Sequence, residues 1–213
     1  MKFSLRLLET DSEISKLIMK EIKIVIDNAI DKAIPDISKE IKELIAESLR
    51  SQPEYSSLMA GTLRAELGIP DSNSINAVIQ ALIETLDVKK NTITITNSGL
   101  VGGFLLTMMK SDDMGGVIYA NISSVNDPKG YSLPWLEWLL FKGNEILVKN
   151  YRVSYTPSPY SRSGMAIMTP SSESWRVPEQ FTGTEENNWT TRAINSVEDS
   201  VYRIIQKNIE KYI

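Results

Sequence analysis

The sequence contains no histidine and no cysteine. Those absences exclude Ser-His-Asp and Cys-His catalysis, Cys/His zinc sites, haem ligation through histidine and every disulfide. Any catalysis would fall to carboxylates, lysines, tyrosines, hydroxyls or oxygen-ligated metals, and stability to packing or assembly. Long apolar runs are missing too: the stretch Leu133–Phe141 is far shorter than the roughly 20 residues that span a bilayer. The amino terminus, MKFSLRLLETDSE, turns acidic before a signal-like apolar core accumulates. We therefore expect a soluble protein, of the cytosol or of an assembled particle, with no membrane partner. Excess positive charge is lacking as well. With 23 Lys and Arg against 27 Asp and Glu, the net charge is -4, so phosphate neutralisation is not the main mode of binding.

What is present is 213 residues, 42% of them hydrophobic, enough for one sizeable core or two modest ones. Thr10 and Glu13 have capping-box spacing. Ile14, Leu17, Ile18, Ile22, Val25, Ile26, Ala29, Ile30 and Ala33 then recur at three and four, which predicts a helix. Pro35 predicts a kink or short break, after which Ile37, Ile41, Leu44, Ile45 and Leu49 resume the stripe. The opposite face mixes Lys20, Glu21, Lys23, Asp27, Asp31, Lys39, Glu40 and Glu43, the pattern of a solvated surface. The Ile-rich stripe could instead pack on a neighbouring subunit. Pro53 suits a helix start and Gly68 a stop before Pro70. Asp71 or Asn73 can cap a further helix striped by Ile75, Val78, Ile79, Leu82, Ile83 and Leu86.

Composition changes after Asp87. Thr92, Ile93, Thr94, Ile95 and Thr96 alternate with period two, the pattern of a half-buried strand closed by Asn97-Ser98-Gly99. The stretch Gly99–Met109 fits a buried strand or a short helix. Val117–Ile122 reads as a strand, and Glu145–Tyr155 as another with Leu147, Lys149, Tyr151 and Val153 on one face. A helix of two or three turns fits between Pro134 and Gly143. Residues 156–183 are rich in Pro, Ser, Gly and Thr, with Met165–Met168 as one more strand candidate. A connection that long points to function or to docking against a partner. Thr184 is a candidate cap for one helix over Glu185–Tyr212, about 42 Å long. The fold class is therefore α+β: a helical N-terminal half, a small antiparallel or mixed β-sheet in the middle, and a long C-terminal helix packed on the sheet. Residues 1–52 form N-terminal amphipathic helices and residues 53–213 the α+β core.

Candidate chemistry is sparse. Asp112-Asp113 before Gly115-Gly116 lacks the ligand spacing of a calcium loop and reads as a polar turn between strands. Glu137 among Trp135, Trp138 and Phe141 could act as a general acid in a carboxylate-dependent glycan hydrolase, but nothing designates its second carboxylate. No dinucleotide fingerprint or phosphate loop occurs, and we expect no catalytic residue, cofactor or metal. Asn121-Ile-Ser123 and Asn188-Trp-Thr190 match the glycosylation pattern by accident. Tyr151, Tyr155 and Tyr160 with Arg152 and Arg162 suit an interface rich in Tyr, Trp and Arg better than base stacking on a net-negative chain.

Three runs, LPWLEWLLFKG from Leu133, PSPYSRSGMAIM from Pro157 and WRVPEQFTGTEENNWTTRAI from Trp175, resemble the neck or tail-completion proteins of long-tailed double-stranded-DNA bacteriophages. In that family a Trp/Tyr and a Glu before a Gly precede a strand, a Ser/Arg-Thr-Gly-like turn follows, and Pro-x-x-Phe leads into a long terminal helix. The matching positions are Trp135, Glu137 and Gly143, then Arg162, Ser163 and Gly164, then Pro178 and Phe181. Ser163 stands where the family often has Thr, and the helices before Pro53 are longer than the usual ones. The station within the neck is left open among tail completion, tail terminator and head closure.

The resemblance implies a structural virion protein, not an enzyme, that forms a sixfold or twelvefold homo-oligomeric ring in the head-to-tail connector. Its neighbours would be a portal or head-closure protein on one side and tail terminator, tube or sheath proteins on the other. Genome DNA would pass without sequence-specific binding, and an acidic lumen would let it slide. The chain would reside in the neck or tail region of the virion, and in the host cytoplasm during assembly. Candidate contact residues are Trp135, Glu137, Trp138, Tyr160, Arg162, Ser163, Gly164, Trp175, Arg176, Pro178, Phe181 and Trp189, the tryptophans and arginines serving as anchors. An adaptor or scaffold binding a partner through residues 11–49 is the alternative.

Overall fold

The computed structural model describes residues 10–96, 99–108, 111–118, 120–126 and 131–213. The expected turn residues Asn97 and Ser98 and the Asp112 side chain lie outside what is described. The chain folds as two compact units that do not follow chain order. One takes the chain up to Ile41, Asp87–Leu106 and Tyr202–Ile213; the other takes Lys42–Leu86 and Thr107–Val201. The division falls inside the first helix, not after it.

That helix, α1 (Asp11–Ser51), has 41 residues and is about 60 Å long. Its start is fixed by the Thr10 and Glu13 pair: the Glu13 carboxylate accepts from the Thr10 amide at 2.7 Å, and the Glu13 amide donates to the Thr10 hydroxyl at 3.3 Å. The Thr10 amide, and then the Thr10 hydroxyl donating to the same carboxylate at 2.8 Å, hold the Glu13 carboxyl below its ordinary range. Of the kink or short break expected at Pro35, the break does not occur, and helix continues through it. Proline removes one backbone bond, but Ala33, Ile37 and Ile41 beside it are completely buried, and that burial outweighs the local cost.

In the first unit α1 is joined by β1 (Asp87–Thr96) and β2 (Gly99–Thr107), which pair as a two-stranded sheet. The Thr94 and Thr96 hydroxyls donate to the Val101 and Gly99 carbonyls, so the pair is antiparallel. Gly99–Thr107 thus resolves as strand. Lys90 of β1 pairs with Asp31 at 2.6 Å and with Asp27 at 3.4 Å, pinning the hairpin to α1. From the far end of the chain, Lys207 donates to Glu40 at 2.8 Å and Asn208 to the same carboxylate at 3.2 Å. Those two bonds, Lys207 first, hold Glu40 below the usual carboxylate range.

The second unit builds its core from the end of α1, α2 (Pro53–Ala60), α3 (Thr62–Leu67) and α4 (Asn73–Glu84). Ile45, Leu49, Leu58, Leu63, Ile75, Val78, Ile79 and Leu82 are fully buried. The α3 stop is Gly68, whose left-handed backbone (φ 68°) disfavours a side chain. Then come α5 (Ser111–Ile118), β3 (Val125–Asn126) with β4 (Ser132–Leu133), and α6 (Trp135–Leu140). Two sequence expectations are corrected here. Asp112–Gly116 is not a turn between strands but part of α5, and Val117–Ile122 is not a strand but the end of that helix and a 3-10 turn. The reason is Ser123: its buried hydroxyl lies 2.6–2.9 Å from the Val117, Ile118 and Ala120 carbonyls and closes the helix end.

β5 (Val148–Ser154) pairs antiparallel with β6 (Ile167–Trp175), so strand extends well beyond the Met165–Met168 piece. The register shifts between Lys149 and Tyr151, where Asn150 has φ 60°. The expected single face of Leu147, Lys149, Tyr151 and Val153 is interrupted by that bulge. The single terminal helix over Glu185–Tyr212 is also overturned: there are two, α7 (Trp189–Asn195) and α8 (Glu198–Glu210). The Ala193 carbonyl, which a continuing helix would use, instead accepts from Ser48 at 2.7 Å and Ser196 at 2.9 Å. The Val197 amide turns to Ile194. The cap of α7 is Asn188, not Thr184, in a complete capping box with Thr191.

Candidate functional site

The residues expected at a subunit interface divide in two. Trp135 and Trp189 are completely buried, Trp175 and Phe181 nearly so, and Ser163 is covered as well. These are core side chains within one chain, which corrects the expectation that they anchor a neighbour. Two of the indoles are held by hydrogen bonds. The Trp189 indole donates to the Leu49 carbonyl at 3.0 Å and that of Trp175 to Glu66 at 2.8 Å. Trp138, half-buried, meets Trp175 edge-on at 6.4 Å. Phe181 closes a 3-10 turn that follows Pro178. Behind it Gly183 packs so closely on the last turn of α6 that a Cβ would stand 2.2 Å from the Leu139 carbonyl oxygen.

The remainder stay at the surface. Tyr160 is 91% exposed, and Arg162, Gly164 and Arg176 are exposed too. Glu137 is half-buried and paired with Lys142 at 2.8 Å. The Arg162 guanidinium lies against Gly68, where an added Cβ would meet its Nε at 2.9 Å. Two hollows of about 280 and 290 Å³ open on either side, sharing Glu66, Arg162 and Met168. Glu66 was not foreseen from sequence, for it carries no motif. Its carboxylate nevertheless accepts from both Tyr155 and Trp175, tying α3 to the residue that follows β5 and to the end of β6. Partial burial and then the Glu66 charge push the Tyr155 hydroxyl well above its ordinary range. Also unforeseen is the fully buried Glu54, paired with Arg192 of α7. Among the described residues no group of three acidic side chains could hold a metal ion, and no helix is long and apolar enough to cross a membrane.

The least satisfied surface lies in the first unit. Between Asp11 and Asn28, α1 is exposed over most of its circumference, and large aliphatic side chains stand among its exposed polar ones. Leu17 is 56% exposed, Ile18 and Ile24 53% each, and Ile22 and Val25 join them. Ile95, Val101 and Leu105 of the β1–β2 hairpin are exposed in the same unit. Between α1 and the adjoining ends of β1 and β2 runs a groove of about 730 Å³, with Lys16 and Lys20 on its wall and Met19 and Ile95 as apolar lining. The sequence stripe pointed to this helix; which part of it is bare depends on where the rest of the chain packs. No family model, curated protein or solved structure matches the chain.

Proposed function

We propose that this chain is a structural virion protein that assembles into a ring in the head-to-tail connector of a tailed bacteriophage. Such a ring joins the portal or head-closure side to the tail terminator, tube or sheath, and DNA passes through it. One observation carries the reading beyond the motif resemblance: the bare aliphatic surface of α1 and the β1–β2 hairpin. Five large aliphatic side chains between Leu17 and Val25, about two and a half turns of helix, all face water and are a surface that exists to be covered. Heterologous contacts repeated around a closed rotation would cover it in every copy. The contact surface in this reading is α1 and the hairpin; the buried tryptophans support the subunit from inside.

The test is the mass of the purified protein over a range of concentrations, with negative-stain images of the largest species. Closed rings of sixfold or twelvefold order are the expected result; a monomer at every concentration overturns the reading. An adaptor is the second reading, favoured by the same bare helix: it would stay monomeric alone and bind a different protein through residues 11–28.

A further inference from the structure

We propose that the groove between α1 and the adjoining ends of β1 and β2 seats the first turn of α8 from a second copy of this chain, an inference that rests on the ring reading above. The groove asks for negative charge. Lys16 and Lys20 lie one turn apart on its wall, both exposed, and neither has an ion-pair partner among the described residues. Like charges at that spacing disfavour each other. Further along the same face, Lys23 and Lys90 are neutralised by Asp27 and Asp31. Beside the two free lysines lie Met19 and Ile95, so the occupant must bring carboxylates together with an apolar or aromatic side chain.

The chain carries such a surface at the start of α8. Glu198 and Asp199 open α8, both exposed and neither with an ion-pair partner among the described residues, and Tyr202 is 70% exposed. Tyr202 follows at three and four residues, hence on the same face. The other exposed adjacent carboxylates, Glu185 and Glu186, have no such neighbour, because Phe181 and Trp189 are buried. The chain's own α8 is not the occupant. It is tied to α1 through Lys207 at Glu40 and Lys211 at Asp36, and Asp36 lies about 24 Å along the helix from Lys20. A groove on one copy and an acidic turn on the next make a contact between unlike surfaces, which propagates around a ring.

The experiment is a charge exchange read by sedimentation velocity at about 0.1 M salt, where such pairs are only partly screened. Three proteins are compared with the parent: Lys16→Glu with Lys20→Glu, Glu198→Lys with Asp199→Lys, and all four together. Each pair alone is expected to weaken assembly by about tenfold or more, and the fourfold variant to recover most of the parent's affinity. Circular dichroism establishes that each is folded, and recovery in the fourfold variant cannot come from misfolding. A parent that never assembles overturns the ring reading. A parent that assembles, with either pair silent or no recovery in the fourfold variant, overturns this inference alone. So does loss of assembly on deleting residues 1–9 to the same degree as reversing the two lysines, since that segment would then be the occupant.

Discussion

At the scale of single residues, two polar side chains hold more than their positions in the sequence suggest. Asn188 is nearly buried. It accepts from the Thr190 and Thr191 amides at 3.0 and 3.1 Å, and donates to the Thr184 carbonyl at 2.8 Å. Its resemblance to a glycosylation site is thus incidental to its role as the cap of α7. Replacing it with alanine orphans two amides and one carbonyl, so Asn188→Ala should cost about 2 kcal/mol, or roughly 4–8 °C in melting temperature, by differential scanning calorimetry. Tyr155 supplies a pH dependence. Burial and Glu66 raise its folded value above the ordinary tyrosine range, so its contribution is complete below about pH 10 and is lost as pH rises further. Tyr155→Phe should therefore lose about 1 kcal/mol at neutral pH, where the hydroxyl donates to Glu66, while its stability falls less than the parent's above pH 10. Parallel alkaline titrations of the two proteins, followed by circular dichroism, check this; parallel curves contradict it.

At the scale of elements, the sequence was legible where one physical signal dominated. The α4 stripe, the Thr-Ile alternation of β1 and the short helix after Pro134 are all where periodicity places them. It was illegible where a distant partner decided. Val117 and Ile118 look like strand because β-branched residues favour strands, yet the Ser123 hydroxyl makes them a helix end. The terminal helix breaks after Asn195 because Ser48, 145 residues earlier, takes the Ala193 carbonyl. The buried tryptophans among the interface candidates were misread for a related reason. Tryptophan favours both cores and contacts, and only the packed chain tells which. Pro35 shows the converse, a strong local signal overridden by burial, and the strain should be measurable. It is exposed, and its ring both blocks a bond to the Asp31 carbonyl and crowds it. Alanine removes a penalty of about 3 kcal/mol and returns up to about 1 kcal/mol of unfolded-chain freedom. Pro35→Ala should thus gain about 2 kcal/mol, seen as a higher urea midpoint at unchanged slope.

At the scale of the whole molecule, the contrast lies between a well-covered core and an uncovered helix. From Ala29 to Leu49 the inward positions of α1 are buried, whereas from Asp11 to Asn28 its aliphatic side chains meet water. Leu17 and Ile24 lie seven residues, hence about two turns, apart on one stripe of that bare segment. Because both are more than half exposed, exchanging them for serine removes little that holds the subunit together, and folding stability should change by less than about 0.5 kcal/mol each. The effect on assembly should be of another order. Covering each exposed side chain is worth about 1.5 kcal/mol, so the double variant Leu17→Ser with Ile24→Ser should weaken self-association by about 3 kcal/mol, or roughly a hundredfold in dissociation constant. Apolar burial is insensitive to screening, so this loss should persist at high salt, where the Lys16 and Lys20 contribution fades. Mass photometry across a dilution series, beside a thermal melt of each protein, separates the two effects. An unchanged melt with dissociated subunits is expected, and an unchanged assembly would mean that the bare helix is not where copies meet.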